Sequence, residues 1–133
     1  MKEAGDILAY IPQRPPFVFV DALEEADAGM ARTRFTIPAD CPLVSDGVLP
    51  IAGLMENVAQ TCAARMGHEA GNKIGFIGAV KAMEARRLPR VGETLTTEVR
   101  LIQEVMNISL MECTTRVGED IIATTTLKLA IVE

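Results

Sequence analysis

Tryptophan is absent, one tyrosine and four phenylalanines bring the aromatic share to only 4%, and His68 is the single histidine. The core must therefore be built from Val, Ile, Leu, Met and Ala. Chemistry that needs an imidazole has one place to find it. The three cysteines, Cys41, Cys62 and Cys113, are far apart and show no CxxC spacing. No zinc or redox motif follows, no metal or cofactor is implied, and reduced thiols in a cytoplasmic protein are expected. Long apolar runs are missing as well: "IGFIGAV" is far too short to span a bilayer. The start, "MKEAGDILAYIPQRPP", carries Glu3 and Asp6 and has no apolar h-region, which argues against a signal peptide. Basic charge is in deficit, with 13 Lys and Arg against 18 Asp and Glu, a formal net charge of -5. That argues against a generic nucleic-acid binder, which would be basic.

The 133 residues, 49% hydrophobic and 23% charged, have the balance of one globular domain over 1–133. Charge is not spread evenly. Between Lys73 and Arg90, Lys73, Lys81, Arg86, Arg87 and Arg90 oppose only Glu84. A solvated strand edge explains such a run. A dock for an acidic carrier protein or a phosphate-bearing group, formed by Arg86, Arg87 and Arg90, explains it too.

Residues Ile7, Leu8 and Ile11 are spaced like a short amphipathic helix that Pro12, Pro15 and Pro16 end. "FVFVDALEEA" reads as a strand, Ala28-Gly29 as a turn, and "MARTRFTI" as a strand with one face covered. Residues 38–49 are loop-like. Pro50 suits the first turn of a helix over Ile51 to Met66, with Gly67 as its stop. Four strands follow, with turns near Pro89–Gly92, Asn107 and "GED". One long helix on about six antiparallel strands is an α+β domain.

At about 100° per residue, Ile51, Met55, Val58, Ala59, Cys62 and Met66 fall in one arc, the expected core face. Glu56 and Gln60 fall opposite, one turn apart, among the small residues Ala52, Gly53 and Ala63. That face suits a narrow slot for an extended ligand. It equally suits a structural hydrogen-bonding pair at a subunit interface.

The segment "LAYIPQRPPFVFVD" resembles the opening signature of the β-hydroxyacyl-acyl-carrier-protein dehydratases: Pro12, Arg14, Pro16, Phe17, Val20 and Asp21 match it, and Gln13 replaces a His. "LPIAGLMENVAQ" resembles the family helix through Pro50, Glu56, Ala59 and Gln60, and "KAMEARRLPRVGETL" resembles a later strand and turn. The resemblance implies the hotdog fold, in which a curved antiparallel sheet wraps a long central helix. It implies a homodimer whose sheets join side by side, with acyl-pantetheine entering at the interface. A homodimer is expected, and a higher oligomer or a heterodimer with a complete dehydratase is open. Glu56 occupies the family's catalytic carboxylate position, and Pro50, Ile51, Ala52, Gly53 and Gln60 would line the acyl-thioester slot.

The family's catalytic His has no counterpart: its offset falls on the proline of "CPLVSDG", Pro42. Dehydration removes an α-proton and expels hydroxide, so it needs a base of near-neutral pKa and an acid. Cys41 is adjacent, and a thiolate can act as a base, although a free Cys beside a Pro is usually a packing residue. His68 lies beyond the helix, where its dipole favours a cation. Three readings follow. The chain is a dehydratase-like subunit for fatty-acid or polyene-type biosynthesis, impaired alone or completed by a partner. It is a thioesterase using Glu56 and helix-start N–H groups. Or it is a non-catalytic acyl-thioester binder.

Overall fold

Alternation of side chains along each segment decides most of the architecture. In Met30–Thr36, residues Ala31, Thr33 and Phe35 are buried, while Arg32, Arg34 and Thr36 reach outward. A strand with that alternation must lay one face on something apolar. The computed structural model describes residues 7–70 and 74–132. It has six strands, β1 (Ala22–Ala26), β2 (Met30–Thr36), β3 (Ile74–Ala85), β4 (Thr94–Val105), β5 (Ile108–Val117) and β6 (Asp120–Val132). One helix, α1 (Ile51–Ala70), lies between β2 and β3 in the chain. The strands form one antiparallel sheet in the order β1-β2-β4-β5-β6-β3, and α1 packs against β1, β2, β3 and β4. This is the hotdog arrangement, as the resemblance implies.

Two apolar clusters lie between helix and sheet. Val58, Cys62, Ala64 and Met66 of α1 meet Val99, Met111, Cys113 and Leu127 from the sheet. Leu54 and Leu49 meet Phe19, Phe35, Ile37 and Leu95 nearer the helix start, with Phe19 and Phe35 stacked at 5.7 Å. Each fully buried Val, Leu, Ile, Phe or Met among them contributes about 1.5–3 kcal/mol. The turns fall where the sequence places them. Asp27 Oδ1 accepts the N–H groups of Gly29 and Met30 in the β1–β2 turn, and Met106–Asn107 joins β4 to β5.

Four expectations need correction or narrowing. The first concerns "FVFVD": the strand starts at Ala22, and residues 18–20 are outside the ladder. The N–H and C=O of Phe19 are taken instead by side-chain amides of α1, which satisfy them as a neighbouring strand would. The second is the helix end. Gly67 does not stop α1, which runs on to Ala70. Gly67 is there because the Tyr10 backbone crosses the helix, and a Cβ would collide with its carbonyl oxygen and sit 2.8 Å from its Cα. The third is the N-terminal helix: of its span, the described part shows a single helical residue, Ile7, and then a turn closed by Tyr10 N–H on the Ile7 carbonyl.

The fourth is the phase of α1. The face toward the sheet centres on Leu54, Asn57, Val58, Thr61, Ala64 and Arg65, whereas Ile51 is 49% exposed and Met55 and Ala59 are half-buried. The cause is a polar layer within the interface. Thr97 donates to Asn57 Oδ1 at 2.6 Å, and the hydroxyls of Thr33 and Thr61 share a hydrogen bond of 2.8 Å. Arg65 donates to the Ala28 carbonyl. A wheel drawn on apolar residues alone cannot find a core face that carries Asn, Thr and Arg.

Candidate functional site

Glu56 is half-buried, on the side of α1 that the sheet leaves partly open, near Ala52, Met55, Ala59 and Ala63. The small residues keep that side low. Gln60, one turn on, is fully buried. Its Nε2 donates to Glu56 Oε1 at 3.0 Å and to the Phe17 carbonyl at 2.9 Å, and its Oε1 accepts the Phe19 N–H at 2.6 Å. Asn57 Nδ2 adds a bond to the Phe19 carbonyl at 2.7 Å. One amide therefore holds the 17–19 segment to the helix and fixes one oxygen of the Glu56 carboxylate. Among the described residues, Glu56 Oε2 takes no hydrogen bond.

The helix start is built by packing. Gly53 is buried because a Cβ would collide with the Leu49 side chain. Pro50 accepts the Gly53 and Leu54 N–H groups, at 2.9 and 3.2 Å. The N–H groups of Ile51 and Ala52 come before this first turn and belong to the unsatisfied end of the helix, where partial positive charge gathers. Both residues are exposed. No acidic residue occupies the first turn. The six residues picked from the sequence thus divide. Glu56, Ile51 and Ala52 border the open side, Pro50 is half-buried beside them, and Gly53 and Gln60 are buried behind it.

Among the described residues, no titrating group hydrogen-bonds to the Glu56 side chain. His68 is twelve residues further along the same helix, about 18 Å at 1.5 Å per residue, and its ring tilts against Tyr10 at 5.6 Å. Pro42 is exposed and carries no titrating group. Cys41 is 6% exposed in the Phe19–Leu54 cluster, and burial pushes its thiol up from the ordinary 9.0, so it is protonated at neutral pH. Gln13 buries an Oε1 that has no partner among the described residues.

The basic run is also subdivided. Arg87 is bound bidentately by Glu93, at 2.8 and 2.9 Å, and Glu93 Oε1 also accepts the Arg90 N–H at 2.8 Å. These contacts pull the Glu93 carboxyl down from 4.5 to about 2. Arg86 and Arg90 are exposed with no ion pair among the described residues. Arg86 and Arg87 line a groove of about 490 Å³ together with Arg116, Glu119 and Asp120. The pairing of Cys62 on α1 with Cys113 on β5 was not visible in the sequence. Both are buried, and the Cys113 thiol is pushed far up by its neighbour and by burial.

Comparison with known proteins bears on this geometry. A relative from Natranaerobius thermophilus, a 3-hydroxyacyl-[acyl-carrier-protein] dehydratase FabZ, is 30% identical over 142 aligned residues covering 100% of this chain and 99% of its own. The Clostridioides difficile enzyme of the same description is 27% identical, with the same coverage of both chains. Among solved structures, the dehydratase heterocomplex ApeI:P from Xenorhabdus doucetiae superposes with a TM-score of 0.85 at 16% identity, covering 96% of this chain and 91% of that one. A hypothetical thioesterase from Streptococcus pneumoniae, solved with coenzyme A, gives 0.70 at 11% identity, covering 83% and 84%. At these identities the two structures establish the fold alone. The family model described as ApeP-like, ApeP dehydratase, matches residues 5–132, and the chain belongs to that family.

Proposed function

We propose that this chain is a dehydratase-like subunit for 3-hydroxyacyl thioesters, in which Glu56 acts on the leaving hydroxyl and a second subunit supplies the base. In the elimination, a base takes the α-proton from C2, the C2–C3 double bond forms, and the C3 hydroxyl leaves as water with a proton from Glu56. The observation that carries the reading is the Gln60–Glu56 contact. It orients one carboxylate oxygen and leaves the other unbonded on the open side of α1. The dehydratases named above point to the substrate class. The small Ala52 and Ala63 suit an extended acyl chain along the helix, and exposed Arg86 and Arg90 suit an acidic carrier protein or the phosphate of a carrier arm. Gln60 then positions the catalytic carboxylate, and Gly53 shapes the helix start.

Among the described residues no base meets Glu56: His68 is too far, Cys41 is protonated and Pro42 is inert. That is the reason for a partner, and the Xenorhabdus neighbour is itself a heterocomplex. The edge strand β3 offers the place. It is exposed along Ile77–Ala82, with Ile77 and Val80 at 37% and 45%. A long apolar edge of this kind invites another strand. Either a second copy or a complete dehydratase would close the slot.

A thioesterase reading has one specific support, the free Ile51 and Ala52 N–H groups one turn before Glu56. They could polarise a thioester carbonyl while Glu56 activates water.

The deciding assay offers 3-hydroxyacyl and plain acyl thioesters to the purified protein, alone and mixed with a complete dehydratase, with Glu56→Ala as control. The proposal expects weak or no enoyl formation alone, and formation in the mixture above that of the partner alone, lost with Glu56→Ala. Robust dehydration by the protein alone would remove the need for a partner. Thiol release lost in Glu56→Ala would move the assignment to thioesterase. Silence in every arm would leave a binder.

A further inference from the structure

The β4–β5 hairpin ends in a patch that the proposed reaction does not use. Ile102, Val105, Met106 and Ile108 are exposed by 54%, 56%, 93% and 39% within seven residues. A bulge falls between Leu101 and Gln103 and turns Ile102 out of the ladder. The two-residue turn places Met106 at φ 57, a left-handed conformation that hairpins normally assign to Gly or Asn. A long apolar side chain at such a position, almost wholly exposed, is not there for the fold.

Beside the tip lies a groove of about 220 Å³ lined by Val105, Ile108, Leu110, Gln103, Lys81 and Lys128. It is on the sheet face away from α1. In β5 and β6, Ser109, Met111, Leu127 and Leu129 are buried on the helix side, and Ile108, Leu110 and Lys128 alternate with them. Lys81 stands at a second bulge, in β3 between Val80 and Ala82. Neither lysine has an ion-pair partner among the described residues. The groove thus has an apolar floor and two unpaired cations, on a chain whose net charge is -5.

We propose that this groove docks a segment of another protein in which acidic residues flank an aliphatic or aromatic side chain. Charge complementarity selects that occupant. A second copy seated face to face on this groove would set Lys81 and Lys128 against their own equivalents, whereas the edge-to-edge β3 pairing proposed above leaves this face of the sheet open. An anionic lipid surface would be repelled by the acidic chain as a whole, and the concave groove suits an inserted side chain. The surface is separate from Glu56 and shares only Lys81 with the β3 edge, so the Val105→Thr/Ile108→Thr variant tests it independently of the dehydratase reading.

The test pans a displayed random-peptide library on the intact protein and titrates a recurrent selected peptide by calorimetry. Selected peptides should carry Asp or Glu on both sides of an apolar residue. Affinity should fall roughly tenfold in the Lys81→Glu/Lys128→Glu variant and by a similar factor in Val105→Thr/Ile108→Thr, which keeps β-branching. Added salt should weaken binding. Failure to enrich any peptide would overturn the proposal, as would peptides without acids or affinity unchanged in both variants. So would capture of the protein by phosphatidylglycerol vesicles through this patch. A drop in oligomer size of Val105→Thr/Ile108→Thr in sedimentation would assign the patch to a second copy instead.

Discussion

Asn57 shows how much one side chain decides here. Fully buried on α1, it donates to Phe19 and accepts from Thr97, linking a non-strand segment, the helix and the centre of the sheet. Asn57→Leu keeps the size and leaves the Phe19 carbonyl and Thr97 hydroxyl buried without partners. A loss of about 2–4 kcal/mol in urea unfolding is expected. Gly67→Ala should also destabilise, by about 1–3 kcal/mol, because the Tyr10 backbone cannot step aside as a flexible side chain would. Gly53→Ala should do less harm in the same measurement, since only the Leu49 side chain must move. Glu56 was legible as the odd carboxylate of an apolar helix. The closeness of Gln60 was legible from their four-residue spacing. That Gln60 is buried and holds Phe17 and Phe19 was not legible, because those contacts span more than forty residues.

At the scale of elements, strands with clean alternation, such as β2 and the first half of β4, were readable to within a residue or two. The helix was readable in existence but not in phase, because Asn57, Thr61 and Arg65 face the sheet. The β3–β4 connection matters most for the site. Leu49 N–H donates to Pro89 and Val91 N–H to Gly47, so residues 86–93 brace the loop that delivers the chain into α1. Glu93 pins that connection through Arg87 and the Arg90 N–H. Its carboxyl titrates near 4.5 when free and near 2 when folded. The stabilisation is therefore complete above about pH 4.5 and disappears as pH falls toward 2. Both side chains are partly exposed, at 43% and 29%, so the effect is modest and salt weakens it. Denaturant unfolding between pH 6 and 2 should show a shallower acid loss for Glu93→Gln than for the unaltered protein. Identical slopes would separate the pinning from stability.

For the whole molecule, the order β1-β2-β4-β5-β6-β3 was not readable from the sequence, because it is set by which strands the helix connection forces apart. That order leaves β3 at one margin. If β3 is the assembly edge, Val80→Asp should shift the protein to monomer in sedimentation velocity while the monomer stays folded. An unchanged sedimentation coefficient would place the contact elsewhere. The opposite margin differs in kind. β1 has five residues against twelve in β3, and its Glu24 and Glu25 are engaged with Arg32 and Arg34 of β2. A sheet that welcomes neighbours on one flank and rebuffs them on the other cannot grow step by step. If two β3 margins meet, only blunt, charged ends would remain, and this sheet would stop at two chains rather than propagate into a fibre.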